Sequence, residues 1–296
     1  MTSEFIKQKA KELGATVCGI GRVYDEENPQ RDPKMILPAA KSIIGFGFAV
    51  PKGLYNAMDR KSQFYGYTTL GVKYIDEEMA EIFLLKIGGI IENEGYDACL
   101  QKAIPNLRIK GDKTTNPEVV DTYELVHARA VEDGKPVPDV IIDFGKAARA
   151  CGIGETGLSG KIINKTYGPF MRYCFIITDM PLEYDDKLEE PICDKCGECI
   201  KACPGKAIDE NGLDSWQCSV YYKGAHKSNP FMTDDFLKDD PEREAIINGE
   251  KRFDADSARK IYKKLDFLPN TQWGYAPCLC GRACDVACFK HLKGDK

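Results

Sequence analysis

The chain has 296 residues, 43% of them hydrophobic, and a formal net charge of −5. That is enough apolar material for one large or two ordinary domains, which excludes disordered and fibrous classes. The acidic balance argues against broad, salt-driven nucleic-acid binding, and no apolar run approaches the ~20 residues of a membrane helix.

The opening Met1-Thr2-Ser3-Glu4-Phe5 has neither a basic n-region nor twin arginines, so a cytoplasmic protein is expected. Thr2 or Ser3 is placed to cap a first helix whose apolar face is Phe5, Ile6, Ala10 and Leu13, with Gly14 as its stop. Ala15 to Ile20 reads as a buried strand, and Ser42 to Val50 as a second, ended by Pro51. Between Asp76 and Glu94, the positions of Met79, Phe83, Leu84, Ile87, Ile90 and Ile91 follow helical spacing, and Gly95 closes the helix. Residues 104–137 are polar and irregular and read as a long functional loop. Lys146 to Ala150 leads into a glycine-rich run, and Tyr173 to Thr178 is another strand.

This alternation predicts a mixed domain over residues 1–185. Acidic Asp185 to Glu190 with Pro191 marks a boundary, and a cysteine-rich module over 186–296 follows. A charged insert at about 223–276 interrupts the module; its Asp254 to Leu265 stretch has helical character, and its surface is a candidate docking face.

Of 13 cysteines, four are scattered early (Cys18, Cys99, Cys151, Cys174) and nine fall between 193 and 288. Clustering of this kind in a reducing compartment points to metal rather than disulfides. Cys193-x2-Cys196-x2-Cys199-x3-Cys203-Pro204 is the strongest signal in the chain. Three thiolates at two-residue gaps wrap one 4Fe–4S cluster, and the fourth turns away to a second. A zinc site, the competing reading, usually needs only two CxxC pairs. Cys278-x-Cys280-x3-Cys284-x3-Cys288 is less regular, and Cys218 stands alone. Two clusters need eight thiolates and the module offers nine, so Cys278 and Cys280 compete for one place. Cys18 and Cys174 read as inert core residues, and Cys151 as core or pocket lining.

The glycine-rich run is Ala147-Ala148-Arg149-Ala150-Cys151-Gly152-Ile153-Gly154-Glu155-Thr156-Gly157. Tyr167-Gly168-Pro169-Phe170-Met171-Arg172 and Thr178-Asp179-Met180-Pro181-Leu182 follow it, and then the first cysteine run. This order resembles the corrinoid-dependent epoxyqueuosine reductases and the reductive dehalogenases, strongly over about 140–218 and more weakly elsewhere. The resemblance implies an α+β fold: a nitroreductase-like, cobalamin-binding α/β sandwich followed by a ferredoxin-like module with two 4Fe–4S clusters. It implies that Cys193, Cys196, Cys199 and Cys288 hold one cluster, and that Cys203, Cys218, Cys284 and either Cys280 or Cys278 hold the other. It further implies base-off cobalamin without a histidine ligand; Asp-x-His-x-x-Gly does not occur. His127, His226 and His291 then read as ordinary surface or loop residues.

Gly152, Gly154, Glu155 and Gly157 become candidates for cofactor binding, with inward-turned N–H groups approaching a planar ligand; a tight helix–strand turn is the alternative. Flavin in place of cobalamin ranks lower. Tyr167 is the preferred proton donor among Tyr65, Tyr67, Tyr74 and Tyr167, since reduction of a C–X or C–O bond builds negative charge. Arg172 is a candidate for orienting an anionic substrate group or a corrinoid amide, against a structural pair with Asp179 or Glu155. Asp139 and Asp143 lie near the place of the family's catalytic aspartate but lack its Asp-x-Gly-Pro context.

The expected activity is reduction of a small organic substrate, with electrons from a ferredoxin or flavodoxin passing through both clusters to the corrinoid. An electron-transfer activator of a partner's cofactor is the first alternative. A tRNA-modifying epoxyqueuosine reductase is the second; tRNA is disfavoured by the acidic charge and by the eight residues that follow Cys288, where the family usually carries a helical-repeat extension.

Overall fold

A computed structural model describes residues 2–102, 130–136, 138–265, 267 and 277–294. Most of the expected loop at 104–137, His127 and part of the insert lie outside the described residues.

The sheet follows from period-two patterning. Strands β1 (Val17–Arg22), β2 (Ser42–Ala49), β3 (Ala98–Gln101) and β6 (Met171–Thr178) pair antiparallel in the order β1-β2-β6-β3. Ile44, Phe46 and Phe48 of β2, with Cys174 and Ile176 of β6, face one apolar cluster. It contains Ile6 and Ala10 of α1 (Ser3–Glu12), and Phe83, Leu84, Ile87 and Ile91 of α5 (Ala80–Glu92). Ile43 of β2, with Met171, Tyr173, Phe175 and Ile177 of β6, faces a second. There Ala147 and Ala148 of α6 (Phe144–Ala150) pack. The result is helix on both faces of one sheet, which supplies each strand face with an apolar cover.

Glycine on the α6 side brings this layer close. A Cβ on Gly19 would stand 2.0 Å from the Cys151 carbonyl oxygen, and one on Gly45 would stand 2.7 Å from Ile153 Cδ1. The turn after α6 therefore lies directly on the sheet.

Thr2 caps α1 by accepting from the Phe5 N–H, as its position suggested, but Phe5 itself is exposed. The helix expected from Asp76 begins later. Two π-helical turns, Thr69–Lys73 and Ile75–Met79, precede α5. Between β2 and these turns come α3 (Lys52–Asp59) and α4 (Tyr65–Thr68), which follows α2 (Pro33–Ile36) of the preceding loop in chain order.

The expected boundary at Asp185 is tied down rather than loose. The Asp185 carboxylate accepts from Ile20 N–H at 2.8 Å and pairs with Lys7 at 2.5 Å. Two small strand pairs lie on either side of it, β4 (Glu155–Thr156) with β5 (Ile162–Ile163) before the boundary and β7 (Ile208–Asp209) with β8 (Gly212–Leu213) after it. The module itself is built on α7 (Glu198–Ala202), α8 (Ser215–Tyr222), α9 (Arg243–Ile247), α10 (Ala255–Tyr262) and α11 (Ala283–Lys293).

The insert is not merely a solvated charged face. Phe236, Ile246, Ile247, Phe253, Ala258, Ile261 and Leu265 close over Val220 and Tyr221 of α8 as a third core. The last helix packs back on the α1–α5 side of the sheet: Phe289 is edge-to-face on Phe170 and tilted against Tyr55. No helix among the described residues is long and apolar enough to cross a membrane.

Candidate functional site

The glycine-rich run and the first cysteines are joined by one carboxylate. Glu155, buried at the start of β4, accepts from the backbone N–H of Ile192 at 2.6 Å and of Cys193 at 2.9 Å. Its other oxygen pairs with Arg149 at 2.5 Å. A buried carboxylate needs such partners, and here they fix where the cysteine run begins.

From Cys193 the chain curls. Lys195 and Gly197 both have positive φ, and the Cys196 N–H is held by Asp194 Oδ1 at 3.1 Å. Cys193, Cys196, Cys199 and, from α11, Cys288 line one hollow, closed by Ile163 and His291. The Cys199 thiol is pushed up by burial and then by Cys196 and Cys193; Cys288 is pushed up to about 12 by burial, Asp285 and these three thiols. Buried thiols near enough to feel one another's charge ionise together most readily when a cation joins them, which is the donor chemistry of an iron–sulfur site. The residues present fit the group.

A second set gathers behind α7. Cys203 terminates that helix, and its Sγ accepts from the Ala207 N–H at 3.3 Å. Cys280 is a charge neighbour of Cys203, and Cys280 and Cys218 are charge neighbours of Cys284. The spare thiol has a different setting. Cys278 is fully buried, lies within the electrostatic reach of Tyr67 and Arg282, and has its Sγ 3.6 Å from Cys280 Sγ.

Two ion pairs flank this set. Arg172 of β6 holds Asp76 through Nε at 2.9 Å and through Nη2. Arg282 holds Asp285 through Nε at 2.7 Å and through Nη2, both residues being buried. Tyr67, whose phenol is pushed up to about 12 by burial, is a neighbour of both arginines. Lys161 completes the group; Arg282 first, then burial, holds its ammonium below the ordinary lysine range.

Several sequence expectations need correction. Arg172 pairs with Asp76, not with Asp179 or Glu155. The N–H groups of Gly152, Gly154 and Gly157 bond to Arg149, Ala148 and Lys161 carbonyls, so they do not turn toward a ligand. A Cβ on Gly152 would meet the Asp186 carbonyl oxygen at 2.5 Å, and one on Gly154 the Ile163 carbonyl oxygen at 2.8 Å. The run is a tight helix-to-strand turn that packs on its own chain. Glu155 is an anchor for the cysteine segment rather than a residue facing a cofactor. Asp143 caps α6, accepting from Lys146 N–H at 2.9 Å. Cys151 is core, its thiol on the Ile43 carbonyl at 3.4 Å.

Tyr167 sits in the Asn164–Gly168 loop, its N–H on Asn164 Oδ1 at 3.1 Å and its side chain against the α6-side core. It is Tyr67 that the fold brings to the arginines. His226 is buried rather than superficial, while His291 pairs with Asp194 at 2.7 Å. The Arg282–Asp285 pair has a local signal in the sequence, an Arg and an Asp three residues apart between cysteines. Asp76 carried no signal, because its partner is 96 residues away.

No family model matches the chain. An epoxyqueuosine reductase of Cyclobacterium marinum is 24% identical over 245 residues, which is 74% of this chain and 68% of that protein. One of Lactococcus garvieae is 33% identical over 217 residues, 71% of this chain and 50% of the relative. A solved reductive dehalogenase, described with a mechanism for B12-dependent dehalogenation, aligns with 74% of this chain and 28% of its own, at TM-score 0.50 and 16% identity. The chain is similar in sequence to epoxyqueuosine reductases and in fold to a reductive dehalogenase.

The relatives matched by sequence are named as reductases, which makes oxidoreduction the chemistry of the chain's relatives. Likeness to the solved dehalogenase is one of fold. The chain spans 68% of the Cyclobacterium epoxyqueuosine reductase but 42% of the one from Bacillus cereus.

Proposed function

We propose that this chain is an iron–sulfur reductase of the epoxyqueuosine reductase type, with two 4Fe–4S clusters and a corrinoid. The observation that carries the reading is the meeting of Cys193, Cys196, Cys199 and Cys288 around one hollow, three from one loop and the fourth from the last helix. Cys203, Cys218, Cys280 and Cys284 are assigned to the second cluster. Cys280 rather than Cys278 takes the contested place, because its charge neighbours are Cys203 and Cys284. A corrinoid supplies low-potential two-electron reduction when bound.

The chain's own residues contribute position and charge. Glu155 fixes the first cysteine, α11 brings the last ligand of one cluster and Cys284 of the other, and the Arg172–Asp76 and Arg282–Asp285 pairs hold a fixed polar wall beside the second. Tyr67, neutral and buried beside both arginines, replaces Tyr167 as the preferred proton donor.

The relatives named epoxyqueuosine reductases favour epoxyqueuosine in tRNA over a small organic substrate as the first compound to test, reversing the preference drawn from charge and length. The deciding experiment is anaerobic incubation of reconstituted, cobalamin-supplied protein with epoxyqueuosine-containing tRNA and a reduced flavodoxin or ferredoxin. Nucleoside mass spectrometry should show loss of the epoxide oxygen. Unchanged tRNA with intact clusters and bound cobalamin would reject the tRNA substrate, and a chain that binds no cobalamin would reject the corrinoid reading.

A further inference from the structure

We propose that Cys278 is a positioning residue: its thiol hydrogen-bonds the sulfur of Cys280 and raises the reduction potential of the cluster that Cys280 helps to hold. The inference rests on the two-cluster reading above and assigns a role to the ninth cysteine of the module.

The geometry is specific. The two sulfurs stand 3.6 Å apart, within hydrogen-bonding distance for sulfur, and Cys278 is fully buried. The backbone is pinned around them. Leu279 N–H donates to the Tyr222 carbonyl at 3.0 Å, and Gly281 N–H closes a turn onto the Cys278 carbonyl at 3.0 Å. Gly281 and Arg282 both have positive φ, which turns the chain sharply between Cys280 and Cys284. Arg282 does not compete for the sulfur through Nε or Nη2, since both bind Asp285.

The chemistry then has one direction. Ligation removes the Cys280 proton, so Cys278 is the donor of the pair and the Cys280 sulfur the acceptor. A hydrogen bond to a ligand sulfur draws electron density from the cluster and favours its more negative, reduced state. In a dry setting water does not replace that bond.

The test is an EPR-monitored redox titration of full-length, anaerobically reconstituted wild type, Cys278→Ala, Cys278→Ser and Cys280→Ala. Cys278→Ala should keep about eight irons while the midpoint potential of one cluster moves to a more negative value and the other stays. Cys278→Ser, which retains an O–H donor, should return part of that shift. Cys280→Ala should lose about four irons. An unshifted potential in Cys278→Ala would overturn the proposal. So would loss of about four irons in Cys278→Ala with retention in Cys280→Ala, which makes Cys278 the ligand. Wild type that holds only about four irons would instead defeat the two-cluster reading, and this proposal with it.

Discussion

Glu155 accepts a hydrogen bond from the backbone N–H of Cys193 at 2.9 Å. This contact joins the glycine-rich turn of the sheet domain to the first residue of the cysteine run. It makes the turn a mount for the cysteine loop, its glycine N–H groups being spent on the chain's own carbonyls.

Replacing Glu155 with Ala should destabilise the cluster-free chain by about 3 kcal/mol, since charge-assisted hydrogen bonds are each worth about 1.5–3. At roughly 2–4 °C per kcal/mol the melting temperature falls by about 6–12 °C. Calorimetry reads this, and iron analysis should show poorer filling of the site at Cys193. An unchanged melting temperature would mean that the loop is held by other contacts.

The thiols divide cleanly. Serine at Cys193, Cys196, Cys199 or Cys288, and separately at Cys203, Cys218 or Cys284, should each remove about four of about eight irons. Alanine at Cys151 or Cys174, which are core residues, should leave iron content intact. Colorimetric iron and sulfide assays on anaerobically reconstituted variants check each member; full iron content in any of the seven would strike it from the ligand set.

Breaking the Arg172–Asp76 pair from one side should cost more than removing both partners. Arg172→Met leaves Asp76 buried and uncompensated, for about 3–5 kcal/mol, whereas Arg172→Met with Asp76→Leu should recover most of that loss. A double-mutant cycle by denaturant unfolding measures the coupling. Additive losses would show that the two side chains do not act as a pair.

His226 predicts an acid limit. Burial holds its imidazole at about 4, below the ordinary 6.5. The depressed folded value means that its contribution is fully present above pH 6.5 and is lost as pH falls toward 4, because the unfolded chain takes up the proton first. The full loss is on the order of 3 kcal/mol. Urea melts of cluster-free protein at pH 7.5 and 4.5, repeated on His226→Gln, should show the loss in the wild type and a shallower one in the variant. Equal slopes would assign the acid sensitivity elsewhere.

Gly19 tests the close approach of sheet and turn. A methyl there would stand 2.0 Å from the Cys151 carbonyl oxygen, so Gly19→Ala should force the backbone apart at about 1–3 kcal/mol or more. Gly53, with nothing within 4 Å, is the control, and its replacement by Ala should leave the melting temperature unlowered.

Local patterns were legible in the sequence. The run of Cys193, Cys196, Cys199 and Cys203 is read as a ligand set from a few residues of chain, and α1 with its Thr2 cap, β2 and β6 follow from patterns within one element. The resemblance carried by the glycine-rich run pointed to the superfamily. What tertiary structure decided is everything that joins distant segments: Asp76 on Arg172 across 96 residues, Glu155 under Cys193, Cys288 beside Cys193 in one hollow. It also gave the insert a core and turned Gly152 and Gly154 toward the chain's own carbonyls. The physical reason is range. Periodicity and capping are satisfied within a turn or two of chain, whereas a buried charge or a thiol takes its partner from whichever element the fold packs against it.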